Sequence, residues 1–162
     1  MRDDALDVVL ETLSALRKGG QVTERSRLWL QDGLTRFLNG APLDGALGMK
    51  PGAGQTAVGR QYRLAIRNHY LHVAWLLCHG TPWQRSMELA RHVARFSCRA
   101  WPRVCDRAVP PLHFGEIERA LFAAFTAGEV PASAKRLGQI VSEPKYPILV
   151  SEKHLYNFHD RQ

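Results

Sequence analysis

The chain has 162 residues, 45% of them hydrophobic and 23% charged, with a formal net charge of +7. That length predicts one domain with a substantial core, and the composition excludes a disordered or low-complexity chain. No apolar run, such as that at residues 73–78, approaches the roughly 20 residues that cross a bilayer, so no membrane partner is expected.

The chain begins MRDDALDVVLETL, with acids where a secretory signal has basic residues, so no such signal is read. Three cysteines (Cys78, Cys98, Cys105) are too few for a disulfide scaffold, and a reducing, cytoplasmic setting is expected. Leu6, Val9, Leu10, Leu13 and Leu16 recur at three- and four-residue spacing, which predicts a helix over residues 3–18 ended by Gly19-Gly20. Thr23 is placed to cap a second helix over 24–39, with Leu28, Leu34, Phe37 and Leu38 expected to face inward. Gly40 and Pro42 then lead into a short helical turn at 43–47, and the pair reads as an αα-corner. Residues 48–59 (GMKPGAGQTAVG) read as a linker. They lack the Gly-Lys-Ser/Thr that holds phosphates in a P-loop, so no nucleotide cofactor is expected.

A third helix is predicted over 59–78, apolar on nearly every side in its second half, as a central core helix is. Its first half places Arg60, Arg63 and Arg67 within an arc of about 60°. Thr81-Pro82 opens a fourth helix. Trp83, Met87, Leu89, Ala90, Val93, Ala94, Phe96 and Cys98 form its apolar face. Arg85, Arg91, Arg95 and Arg99, with His92, form the other, interrupted by Glu88. Trp101-Pro102 is expected to end this helix, which leaves Arg103 and Arg107 in a loop.

Two further helices are predicted over 115–127 and 132–141, joined through Gly128 and Pro131. This pair resembles the bacterial helix-turn-helix pattern over roughly 20 residues. Gly128 takes the turn position, Ala124 the small position where the helices touch, and Leu137 the inward position. Glu129, where an apolar residue is usual, and the small Ala134 depart from it. The resemblance implies that Ser133, Lys135, Arg136 and Gln139 face outward toward bases or phosphates. Residues 142–162 read as an extended tail with a short strand at 148–150, docked on the domain or on a partner. The fold class is therefore all-α. A single compact domain of about five to seven helices over 1–141 is expected, followed by that tail.

Charge is the strongest functional signal. Residues 60–107 hold nine arginines, no lysine and only Glu88 and Asp106 as acids, while the rest of the chain is balanced. The nine are Arg60, Arg63, Arg67, Arg85, Arg91, Arg95, Arg99, Arg103 and Arg107. Like charges four residues apart on a helix cost about 0.2–0.5 kcal/mol per pair. A solvated face with surface ion pairs would return only about 0–1 kcal/mol per pair. The planar guanidinium fork suits phosphate and carboxylate. Anion binding is the reading favoured, with nucleic acid as the expected partner and a regulatory, DNA-binding role. The alternative is a helical adaptor that binds an acidic protein or a second copy of itself.

No catalytic constellation is visible, so no enzyme activity is expected. Cys78 and Cys98 fall among apolar neighbours and read as core residues. His69 and His72 lack the paired cysteines of a structural zinc site, so no metal is expected.

Overall fold

The computed structural model describes residues 5–51, 53 and 56–142. The expected tail lies outside the described residues from 143 onward. The class is all-α, and no strand occurs among the described residues. The chain groups into two compact units, residues 1–62 and 63–162, taken in turn below.

The first unit contains α1 (Ala5–Arg17), α2 (Glu24–Leu38) and α3 (Leu43–Ala46). Gly19, at φ 63°, ends α1 in the left-handed conformation that glycine adopts without strain. Thr23 caps α2, its Oγ1 accepting from the Ser26 N–H at 3.3 Å. The buried Ser26 Oγ donates to Glu11 Oε2 at 3.3 Å and so ties α2 to α1. The periodic leucines do not mark the packed faces here. Leu28, Leu34 and Phe37 are exposed and Leu38 is 83% exposed, whereas α2 buries Ser26 and Gly33. Small residues set that face. Gly33 lies against the Leu47 side chain so closely that an added Cβ would overlap it. In α1 the buried residues are Leu6, Val8, Leu10 and Thr12, and the expected Leu13 and Leu16 are exposed.

The helix α4 (Val58–Leu76) leads into the second unit, which holds α5 (Pro82–Arg95), a π-turn (Phe96–Ala100), α6 (Trp101–Val104), α7 (Glu116–Ala127) and α8 (Ala134–Ser142). Thr81 and Gln84 form a reciprocal capping box around the start of α5. The core joins Tyr70, Leu71 and Ala74 of α4 to Leu89, Val93, Phe96 and Val104, and to Leu121, Phe122 and Leu137. The indole N–H of Trp75 donates to Ser86 Oγ at 3.2 Å, and that hydroxyl donates to Pro82 O at 2.9 Å.

The fourth predicted helix does not end at Trp101-Pro102. It widens through the π-turn and continues to Val104, with the Trp101 N–H donating five residues back to Phe96 O. Two causes are visible in the packing. A proline ring clashes with the carbonyl four residues earlier in a straight helix, and a wider turn relieves that clash. Phe96 and Trp101 also serve the same neighbour. Phe125 of α7 lies 5.3 Å from each ring. In a regular α-helix residues five apart stand about 140° around the axis, but one inserted residue brings them to about 40°. The π-turn thus lets both rings face α7.

α8 packs chiefly on α5, where Gly138 approaches Ser86, rather than on α7. Ala124 and Leu137 are fully buried and Ser133, Lys135, Arg136 and Gln139 are exposed, as the resemblance implies. The packing of α8 is where the helix-turn-helix pattern and the structure part.

Phe96→Ala removes the ring shared by Trp101, Phe114 and Phe125. It is expected to cost about 3–5 kcal/mol in urea unfolding followed by circular dichroism. Loss below about 1 kcal/mol would mean that the aromatic cluster does not hold the turn.

Candidate anion-binding groove

The exposed side of the α5–α6 rod faces a groove of 1320 Å³. Arg95, Arg99, Arg103 and Arg107 line it together with His79, His92 and His113. The loop between α6 and α7 contributes Pro111, Leu112 and Phe114, and the start of α7 contributes Glu116, Ile117 and Glu118. Phe96, Val104 and Leu121, all core residues, underlie it.

The π-turn also explains how these arginines share a wall. Arg91, Arg95, Arg99 and Arg103 follow one another at four-residue intervals. Each such step advances about 40° around a regular helix, so Arg91 and Arg103 would drift about 120° apart. The inserted residue takes back about 100°, leaving them about 20° apart. The same turn that faces two aromatic rings inward therefore keeps the arginines on one outer stripe. Arg103 is helical, not a loop residue as expected.

All four groove arginines are exposed, and no carboxylate among the described residues pairs with them. Of the nearby acids, Glu116 lines the groove at its far side, while Glu88 and Glu118 have other tasks. Glu88 accepts from the His79 backbone N–H at 2.9 Å and lies 3.9 Å from His92 Nε2. Glu118 accepts from the Gly115 N–H at 3.1 Å, closing the start of α7.

The other predicted arginines divide into engaged and exposed groups. Arg85 lies 5.1 Å over the Trp75 ring, and its Nε donates to Gly80 O at 3.1 Å, so it braces the α4–α5 turn. Arg67 donates from Nη1 to Glu129 O at 2.8 Å and from Nη2 to Asn68 Oδ1 at 2.8 Å. Burial, and then the Arg136 charge, lowers the Arg67 pKa from its ordinary value. Arg136 in turn donates to Gln139 Oε1 at 3.2 Å. Arg91 is exposed on the stripe but outside the groove lining, and Arg63 is exposed near the start of the second unit. Arg60 belongs to the first unit and is exposed. Within the second unit the arginines do not all share one surface; Arg95, Arg99, Arg103 and Arg107 line one groove, while Arg67 and Arg85 are engaged elsewhere.

The histidines and the 111–114 segment were not legible as lining residues, because a loop without periodicity brings them there. A signal for the turn does exist. Phe96 and Trp101 stand five apart before Pro102, a spacing that a straight helix cannot use for one core face.

His72 Nδ1 lies 3.0 Å from Val141 O and its ring stacks on Trp75 at 6.0 Å. No three of His, Cys, Asp or Glu gather in a metal-holding cluster among the described residues. Cys78 is buried with its Sγ donating to Ala74 O at 3.4 Å, and burial pushes its pKa up to about 11. Cys98 is exposed, contrary to the core position expected; two residues beyond Phe96, it stands about 200° around the helix from that core ring. No described helix is long and apolar enough to cross a membrane. Comparison with protein-family models, curated proteins and solved structures finds no match for this chain.

Thiol titration with an aromatic disulfide near pH 8 checks this placement. Cys98 and Cys105 are expected to react in the folded protein, and Cys78, held as the neutral thiol, only after denaturation. Prompt reaction of all three would place Cys78 at the surface.

Proposed function

We propose that this protein binds nucleic acid through the arginine-walled groove of its second unit. The observation that carries the reading is the row Arg95, Arg99, Arg103 and Arg107, on one groove without carboxylate partners among the described residues. Such a row loses a little helix stability through like-charge repulsion and leaves five-donor guanidinium groups open. Phosphates satisfy both needs at once. They neutralise the charge, and each released counterion adds to the affinity. A DNA-binding, regulatory role is the version of this reading that the outward Ser133, Lys135, Arg136 and Gln139 would extend to base recognition.

A second reading, an acidic protein partner, is favoured by one observation. Leu76 and Leu112 are exposed beside the arginines, a combination that an acidic amphipathic helix also fits.

Salt titration tests the main reading. Affinity for nucleic acid is expected to fall steeply between about 50 and 200 mM salt, with slope set by the number of phosphates neutralised. Changing Arg95, Arg99 and Arg103 together to Ala should flatten the log–log slope by about 2–3. The melting temperature should stay unchanged or rise slightly, because like-charge neighbours are removed. Affinity unmoved by the triple substitution would sink the reading.

A further inference from the structure

We infer that the groove is built for a single strand, with phosphates along the arginine wall and base faces over its exposed apolar edge; this rests on the nucleic-acid reading above. Three observations carry it. First, Arg95 and Arg99, and then Arg103, are displaced along one rod by about 6 Å per step, comparable to neighbouring phosphates on an extended strand. Second, the groove is not purely cationic. Its apolar edge is Leu112, 85% exposed, together with the exposed Leu76. A duplex hides its base faces in its own stack and would bring charged phosphates against this apolar surface. A single strand has free base faces to cover it. Third, the exposed His113 ring meets Phe114 edge-on at 5.1 Å, which holds a ring at the groove for a base to stack on.

The shape argues in the same direction. A helix that reads a duplex must project into a major groove about 12 Å wide. The arginine wall here has the loop before α7 standing beside it across the groove, and its inner side carries the core residues Val93 and Phe96.

The test is fluorescence anisotropy with a labelled mixed-sequence 20-nucleotide single strand, the same strand annealed to its complement, and polyglutamate as competitor. The single strand is expected to bind about tenfold more tightly than the duplex, since its unpaired bases are free to stack. His113→Ala should weaken single-strand binding about fivefold or more while leaving the salt slope unchanged, because a stacking contact releases no counterion. His113 is exposed, so the variant is expected to keep its melting temperature. Equal or tighter duplex binding, or a His113→Ala variant that binds the single strand as well as the parent, overturns this inference and leaves the nucleic-acid reading standing. Failure of both nucleic acids to bind, whether or not polyglutamate does, removes that reading itself.

Discussion

Phe96 and Trp101 pack against the same ring, Phe125, and the second unit depends on that shared contact. Residues five apart cannot face one neighbour from a straight α-helix, so the backbone takes one extra residue into a turn at 96–100. Pro102 reinforces the choice, since its ring is incompatible with the carbonyl that a regular turn would place beside it. The consequence appears on the opposite side of the rod. Arginines at constant four-residue spacing, which would otherwise spiral away from one another, stay in register along the groove. Core packing and the charged wall are thus two faces of one backbone feature.

The distribution of charge follows a similar division. Arg85 stacks on Trp75 and Arg67 holds the Glu129 carbonyl, so these two arginines contribute to the fold. Glu88, the acid within the arginine arc, is engaged by the His79 backbone and His92 rather than by an arginine. The groove arginines keep their donors open. Their mutual repulsion is small against a domain stability of about 5–15 kcal/mol, so the fold tolerates the row without needing it. A cluster that the fold can do without is free to be shaped by a ligand.

Much of the helical layout was legible in the sequence, because caps and breakers act locally. Thr23, Gly19, Thr81-Pro82 and Gly128 each mark a boundary that the structure has within a few residues. Faces were legible only where large apolar residues do the packing, as in Leu71, Leu89, Val93 and Leu121. In α2 the contact is made by Ser26 and Gly33, so apolar periodicity pointed to Leu28, Leu34 and Phe37, which are exposed. The groove was half legible. Its arginines stood out by composition, but their sorting into a wall, a brace at Arg85 and a tie at Arg67 depends on tertiary partners. The loop residues Leu112 and His113 carry no periodic signal that would place them opposite Arg95 and Arg99.

On the proposed reading, one aligned row of arginines, and not the basic region at large, meets the nucleic acid. Chemical-shift mapping of the labelled protein during titration with a short single strand tests it most directly. The guanidinium and backbone signals of Arg95, Arg99, Arg103 and Arg107 are expected to move together with those of Leu112 and His113, while Arg67 and Arg85 stay in place. Shifts centred on Arg67, Arg136 and Lys135, with the groove residues unmoved, would contradict it.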